Sequence, residues 1–310
     1  MEAPELEFLD DRFAELTLGY ARVERLHAGC RWAEGPAYFP AGKYLLWSDI
    51  PNDRVLRYDE TSGAVSAFLA PAGYHNGHTV DPQGRLVSCE QGARCVSRIE
   101  HDGSRRVLAD RFEGKRLNSP NDVVVKSDGS IWFSDPTYGI DSDYEGDAAE
   151  SEIGASNVYR VDPVSGEVSA VATDFVQPNG LAFSPDEKRL YIVDSGVSHL
   201  KNGPRHVRAA EVGADGRSLG PAKLFAVCGA GVFDGLRVDA KGDLWIGASD
   251  GVHVYAPDRA LIGKIRAPER VANLCFGGPK RNRLFMCAET SLYAVYVKAR
   301  PATWPGRSGR

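Results

Sequence analysis

Several patterns that would assign a protein directly to a class are missing from this sequence. The six cysteines form no CxxC pair, and none lies at zinc-ligand spacing from one of the seven histidines. No apolar run approaches the length of a membrane-spanning helix, and no GxSxG motif marks a serine hydrolase. These absences argue against zinc-finger, transmembrane and serine-hydrolase classes, and predict reduced, mostly buried cysteines.

An excess of either charge is also missing. The 310 residues hold 37 Lys and Arg against 42 Asp and Glu, a net charge of −5, with the two signs interspersed. Nothing here indicates a nucleic-acid or membrane-surface partner. The acidic N-terminal segment lacks the basic and apolar regions of a signal peptide, so a cytoplasmic location is expected. The sequence leaves open whether the chain forms a homodimer.

What the sequence does contain is a pattern that recurs six times. A polar residue, the anchor, is usually followed by Gly or Asp, then by a short apolar strand, a turn and a second apolar strand. The anchors are Glu34, Asn76, Asn121, Asn179, Asp234 and Asn273, spaced by 42, 45, 58, 55 and 39 residues. Each repeat then adds two more strand-like segments. Four short strands repeated six times predict an all-β, six-bladed β-propeller, with a pair of β-sandwiches as the competing fold.

The repeats also suggest how the chain is divided. We expect residues 1–20 to form a short N-terminal helical arm, residues 21–298 a single propeller domain, and residues 299–310 a C-terminal tail. Two connections between strands are long, at residues 136–156 and 195–209. Long loops in compact domains commonly act as lids. Both loops are expected to overhang the anchors.

In a propeller the first strand of each blade lines the central channel, so all six anchors should lie at one level. An Asn-Gly or Asp-Gly pair taken singly is most simply a turn former. A ring of six side chains that all carry oxygen is harder to explain in that way. Glu34 and Asp234 are carboxylates, which are costly to bury unpaired. An all-oxygen ring of this kind suits a hard cation such as Ca²⁺ or Mg²⁺ better than zinc.

The second strand of each blade should return beside its anchor about 14 or 15 residues later in the chain. In blades two, three and four these positions hold Glu90, Asp135 and Asp194. Asp194 is expected either to support the ring from behind or to bind substrate. His78 follows Asn76 by two residues, so it should share a strand face with that anchor, although a structural histidine is an equal alternative.

The anchor motifs also resemble a known family. The stretches WAEGPAY, LNSPNDVVVKSDGSIWFSDPTYG, QPNGLAFSPDEKRLYIVDSG and FDGLRVDAKGDLWIG are similar to those of the senescence marker protein (regucalcin), gluconolactonase and luciferin-regenerating-enzyme family of six-bladed propellers. The resemblance covers residues 20–298. The second and third blades look most like the bacterial gluconolactonases.

The resemblance implies one divalent cation, Ca²⁺ first, with Mg²⁺, Mn²⁺ and Zn²⁺ left open. Its ligands would be Glu34, Asn121, Asn179 and Asp234, with Asp234 also the catalytic carboxylate. Ser119 stands where the regucalcin branch has an arginine, which puts the sugar contacts of that branch in doubt. The side chains that we expect to bind substrate are Asn76, His78, Glu90, Arg94, Asn118, Asp135, Tyr138 and Asp194, and Lys115 is a further substitute.

Together these observations predict a metal-dependent lactonase that hydrolyses a small sugar lactone such as glucono-1,5-lactone. The metal would polarise the carbonyl group and Asp234 would act as general base. Two alternatives remain. The same site could hydrolyse other lactones or organophosphates, or the propeller could bind a partner without catalysis.

Overall fold

The computed structural model describes residues 5–229, 231–303 and 305, and it is built almost entirely from antiparallel β-strands. Before the first blade the chain forms strand β1 (Leu6–Phe8), helix α1 (Arg12–Leu16) and strand β2 (Glu24–Ala28). Among the described residues, no helix is both long enough and apolar enough to cross a membrane.

The six blades follow in chain order. Blade one contains β3 (Ala33–Phe39), β4 (Tyr44–Asp49), β5 (Arg54–Asp59) and β6 (Val65–Leu69), and blade two contains β7 (His75–Val80), β8 (Leu86–Glu90), β9 (Cys95–Ile99) and β10 (Arg105–Ala109). A short hairpin, β11 (Arg111–Phe112) and β12 (Lys115–Arg116), precedes blade three, which contains β13 (Val123–Val125), β14 (Ile131–Asp135), β15 (Asn157–Val161) and β16 (Val168–Ala172). Blade four contains β17 (Pro178–Phe183), β18 (Arg189–Asp194), β19 (His206–Glu211) and β20 (Lys223–Val227). Blade five contains β21 (Phe233–Val238), β22 (Leu244–Ala248), β23 (Gly251–Tyr255) and β24 (Leu261–Arg266), and blade six contains β25 (Val271–Gly277), β26 (Arg283–Ala288) and β27 (Ser291–Tyr296).

The innermost strands close into a ring. Strands β3, β7, β13, β17, β21 and β25 each contact the next, and β25 contacts β3 again. Strand β2 supplies the missing fourth strand of blade six by pairing with β27, so both ends of the repeat region hydrogen-bond within one sheet. The six-bladed propeller that the repeats predict is confirmed.

The blades are held together by apolar side chains on their strands. The tryptophans of three second strands, Trp47, Trp132 and Trp245, are completely buried, which explains why aromatic residues recur at that point of the repeat. All six cysteines are buried and none of them forms a disulfide. Burial of apolar surface between neighbouring blades therefore replaces any covalent cross-link in holding the ring.

The N-terminal segment is attached to the outside of the propeller. Strand β1 pairs with β24 and extends blade five to five strands, and the buried side chain of Phe13 in α1 lies against Gly263 of β24. Residues 1–4 of the expected arm, and residues 304 and 306–310 of the expected tail, lie outside the described residues. The domain boundaries at residues 20 and 298 stay predictions.

Candidate active site

The anchors lie at irregularities in the innermost strands. In β3, β7, β17, β21 and β25 the pairing register shifts at or beside the anchor, for example between Glu34 and Ala37 and between Phe233 and Leu236. A β-bulge of this kind bends the strand and redirects a side chain. In these five blades the polar anchor thus lies at or beside a bulge of the innermost strand.

The glycine that follows an anchor is explained by crowding between blades. A Cβ atom on Gly35 would lie 2.1 Å from the carbonyl oxygen of Asn76, and one on Gly180 would lie 2.5 Å from the carbonyl oxygen of Asp234. Distances this short are prohibitive for any residue with a side chain. The Asn-Gly and Asp-Gly pairs are therefore required by the close approach of neighbouring blades, and not by a turn.

A cavity of about 140 Å³ opens at the anchor end of the channel. It brings together six of the side chains that the sequence singles out: Glu34, Asn76, Asn121, Tyr138, Asn179 and Asp234. The sixth anchor, Asn273, sits behind this set, where its amide lies beside Glu34 and against Gly235. The full set of four residues implied as metal ligands lines one cavity.

Two of the three carboxylates that line this cavity, Glu34 and Asp234, are buried and unfavourable as anions. Burial, and then the nearby charge of Asp234, raise the pKa of Glu34 well above its usual value. Burial and the charge of Glu145 raise the pKa of Asp234 to about 7, although Arg270 and the Asn179 amide lower it. The cavity thus places two acidic side chains together with few neighbouring groups that stabilise their ionised forms.

The donor set fits a hard divalent cation. The side-chain oxygen of Asn76 is buried with no hydrogen-bond partner, and a buried orphan acceptor is rare unless a ligand satisfies it. Within the described residues, no three His, Cys, Asp or Glu side chains form a metal-binding group. A cation here would therefore have Glu34 and Asp234 as its charged ligands and would depend on the amide oxygens of Asn121 and Asn179 for the rest.

Sequence reasoning missed six other residues that line the cavity: Trp32, Glu145, Ser195, Ser198, Val232 and Arg270. Arg270 lies over the ring of Trp32, 5.5 Å from its centroid, and its Nε is 3.6 Å from Glu289. Trp32 precedes the Glu34 anchor by two residues and Arg270 precedes the Asn273 anchor by three. The residues two or three positions before an anchor are thus a signal for the cavity wall in blades one and six.

Two predicted substrate-binding carboxylates do not line the cavity. Asp135 accepts hydrogen bonds from the backbone N–H groups of Asn118 and Ser119 at 2.8 and 2.9 Å. Asp194 accepts them from Val176 and Gln177 at 3.0 Å each. In both blades the bonded amides lie three and two residues before the anchor. These carboxylates fix the backbone that leads into the ring, and their substrate role stays a prediction.

The carboxylate of blade two, Glu90, is also outside the cavity lining, as are three other predicted substrate-binding residues. Glu90 pairs with Arg105 at 2.6 Å. His78 is fully buried between Ser48 and Ser88, 2.8 and 2.7 Å from their hydroxyls.

Arg94 and Asn118 are held in the same way by neighbouring backbone. The Nε of Arg94 donates to the carbonyl groups of Leu117 and Asn118, and the Asn118 amide donates to those of Asp135 and Ala155. Lys115 lies in the short β12 strand. These side chains either bond to other groups of the protein or lie outside the cavity. Their role in substrate binding stays a prediction.

The two long loops meet above the cavity. Tyr138 and Ser198, one from each loop, share a hydrogen bond of 2.9 Å between their hydroxyls, and both line the cavity. The His199 ring lies 2.7 Å from Asp141. The loops therefore form part of the wall of the site, as their length and position suggested. That they act as lids stays a prediction.

A larger cleft, of about 350 Å³, lies between blades two and three on residues outside the anchor ring. Two of its arginines form ion pairs: Arg85 with Asp81 at 2.7 Å and Glu100 at 2.9 Å, and Arg98 with Glu100 at 2.5 Å. These ion pairs compensate the charges of Asp81, Arg85 and Arg98 within the cleft. Size alone therefore does not make it the better candidate, and the anchor cavity, where the Asn76 side-chain oxygen lacks a partner, is the stronger candidate site.

Comparison with known proteins agrees with this geometry. Residues 32–290 match the family described as the SMP-30/gluconolactonase/LRE-like region. The chain belongs to this family. A gluconolactonase of Zymomonas mobilis is 30% identical over 299 residues, which cover 89% of this chain and 81% of that protein.

Solved structures place the chain in the same SMP-30/gluconolactonase/LRE-like family. A gluconolactonase from Xanthomonas campestris is 36% identical, with a TM-score of 0.87 and coverage of 94% of both chains. A calcium-binding regucalcin from Agrobacterium tumefaciens has a TM-score of 0.72 at 20% identity, covering 90% of this chain and 96% of its own. The latter shows the shared fold alone.

Proposed function

We propose that this protein is a divalent-cation-dependent lactonase that hydrolyses a sugar lactone, such as glucono-1,5-lactone, to the aldonic acid. The cation is most simply Ca²⁺, bound by Glu34, Asn121, Asn179 and Asp234. The observation that supports this proposal most directly is the cavity itself, where two buried carboxylates and the unpartnered Asn76 oxygen face one small polar space. Membership of a family whose relatives include gluconolactonases supports the reaction class.

Residues of the chain itself would take separate catalytic roles. Asp234 accepts a proton from the attacking water, whose oxygen bonds to the carbonyl carbon, and then gives a proton to the ring oxygen as the ring C–O bond breaks. Tyr138 and Asn179 lie beside Asp234, and burial raises the pKa of the Tyr138 hydroxyl, so it stays a hydrogen-bond donor. A bound cation would supply positive charge against the carbonyl oxygen as that atom becomes negative.

Arg270 gives the site a positive charge in addition to that of any bound cation. It lines the cavity and its charge acts on Asp234. The stacking on Trp32 and the pairing with Glu289 hold the guanidinium at the cavity wall. In this position it can attract the carboxylate that lactone hydrolysis creates.

The proposal is tested by base-titrated hydrolysis of glucono-1,5-lactone, corrected for spontaneous ring opening. Asp234→Asn should reduce kcat by at least about 100-fold, because a general base contributes about 10²–10⁴ to the rate. Chelation should abolish wild-type activity, and added Ca²⁺ should restore it. The matched control is Asp11→Asn, since Asp11 is exposed and its side chain makes no capping hydrogen bond.

Hydrolysis rates, together with Ca²⁺ binding measured by calorimetry, separate the alternative functions. Wild-type rates at background level, with or without Ca²⁺, would refute the lactonase assignment. Hydrolysis of a phosphotriester or of other lactones only would indicate a different hydrolase on the same site. Tight Ca²⁺ binding without turnover of any ester would indicate a non-catalytic propeller.

A further inference from the structure

We propose that Glu145 is the residue that selects hydroxylated lactones, by accepting hydrogen bonds from substrate hydroxyl groups at the mouth of the cavity. This inference rests on the proposed lactonase function and deepens it by naming a substrate class. Glu145 belongs to the 136–156 loop and to none of the anchor strands, and the sequence patterns do not mark it.

The loop is folded so that this side chain reaches the site. Gly146 is buried against Gly139, where an added Cβ atom would lie 2.2 Å from the Gly139 carbonyl oxygen. The N–H of Ala149 donates to the carbonyl oxygen of Ile140 at 3.0 Å. These contacts fold the loop back on itself directly beside Glu145.

The far end of the loop is fastened to the blade. The hydroxyl of Ser151 donates to Asn118 at 2.6 Å, and the Glu152 carboxylate accepts the backbone N–H of Arg116 at 2.8 Å. A loop tied at both sides holds Glu145 in the cavity wall rather than in solvent. The position is therefore built by the fold and does not result from a freely moving side chain.

The carboxylate of Glu145 has acceptor capacity that the protein leaves unused. Its charge acts on Asp234, but within the described part of the chain no donor forms a hydrogen bond with it. Burial, and then the charge of Asp141, raise the pKa of Glu145 to about 7. In its ionised form the carboxylate accepts hydrogen bonds through two oxygens and donates none. The groups that would satisfy it are donors without negative charge, because Glu34 and Asp234 already make the cavity acidic.

The hydroxyl groups of a neutral sugar lactone meet these requirements, whereas a lactone without hydroxyls leaves the carboxylate desolvated and unpaired. A site built to bond a substrate hydroxyl discriminates strongly against an analogue that lacks it. The suitable pair is glucono-1,5-lactone and δ-valerolactone, which share the six-membered lactone ring and differ in the hydroxyl-bearing substituents.

The experiment compares kcat/KM for both lactones in wild type, Glu145→Gln and Glu145→Ala. For glucono-1,5-lactone we expect a loss of about tenfold with Gln and more with Ala, mainly through KM, since hydrogen bonds to charged groups are among the stronger ones. For δ-valerolactone the change should stay within about twofold. Glu150→Gln is the matched control, because Glu150 is an exposed glutamate of the same loop.

Several results would overturn the inference. Equal losses on both lactones would show that Glu145 acts on the reaction or on the fold, and unchanged kinetics on both would show that it contacts neither. Weakened Ca²⁺ binding by Glu145→Gln, measured by calorimetry, would make it a metal ligand instead. If wild type hydrolyses neither lactone, the proposed function itself fails and the inference falls with it.

Discussion

Glu90 offers a test that separates a structural carboxylate from a substrate-binding one. It is 3% exposed, and it accepts hydrogen bonds from Arg105 Nε and Nη2 at 2.7 and 2.6 Å and from the hydroxyl of Ser97. His75 Nε2 lies 3.3 Å away. Burial raises the pKa of Glu90, but the hydrogen bonds from His75 and Arg105 outweigh it and lower the pKa from 4.5 to about 2.

The size of the effect follows from that difference. One pKa unit corresponds to about 1.4 kcal/mol, so a fall from 4.5 to about 2 is worth about 3 kcal/mol of stability at neutral pH. Because the folded-state pKa is the lower one, this stability is present above the unfolded-state pKa and is lost as the pH falls toward about 2. Glu90→Gln should therefore lower the free energy of unfolding by about 2–3 kcal/mol at neutral pH. At about pH 3 the difference from wild type should be smaller.

Urea unfolding at the two pH values measures this difference. The control is Glu167→Gln, because Glu167 is an exposed glutamate just before β16. The kcat and KM of folded Glu90→Gln should match wild type within about twofold, because Glu90 does not line the cavity. An unchanged stability at neutral pH, or a loss that is equally large in acid, would refute the ion-pair reasoning. A raised KM with normal stability would instead support the substrate role that the sequence predicts.

Two further changes test the geometry around the ring. Asp194→Asn should lower the free energy of unfolding by about 1–3 kcal/mol, measured as a fall in Tm. The reason is that one carboxylate oxygen, which accepts the backbone N–H of Val176 or Gln177, is replaced by an amide donor. An unchanged Tm would contradict this. Gly180→Ala should weaken Ca²⁺ binding and lower kcat at least about tenfold, since the new Cβ would press on the Asp234 carbonyl. Gly19→Ala is its control, having no atom within 4 Å of the added group, and equal activity of the two variants would exclude strain at the bulge.

Much of the architecture could be predicted because the sequence pattern that forms one blade occurs six times. Each copy places alternating apolar residues on a short strand between turns, and that pattern survives differences in loop length. The anchors were identifiable for the same reason, since Glu34 and Asp234 recur in register with three asparagines that line the same cavity. The repeat pattern therefore identifies residues that occupy the same position in several blades.

The return residues show where this reasoning fails. Counting along an ideal hairpin puts Glu90 and Asp194 level with their anchors, but the structure pairs them with His75 and Pro178, one residue earlier. A shift of one residue moves a side chain to the other face of the sheet. The bulge at the anchor causes that shift, and its presence depends on contacts between blades. Glu145 was missed for a different reason, because a loop residue has no repeat to mark it.

The charges around the channel explain why the ring suits a divalent cation. Asp122, beside the anchor Asn121, is paired with Arg237 at 3.4 Å, so its charge is compensated within the channel. Among the residues that line the cavity, Glu34, Asp234 and Glu145 then face the guanidinium of Arg270, which also pairs with Glu289. Three carboxylates and one guanidinium leave an excess of two negative charges when all are ionised. A buried excess of that size is costly, and a divalent cation held by the ring would cancel it without altering any strand.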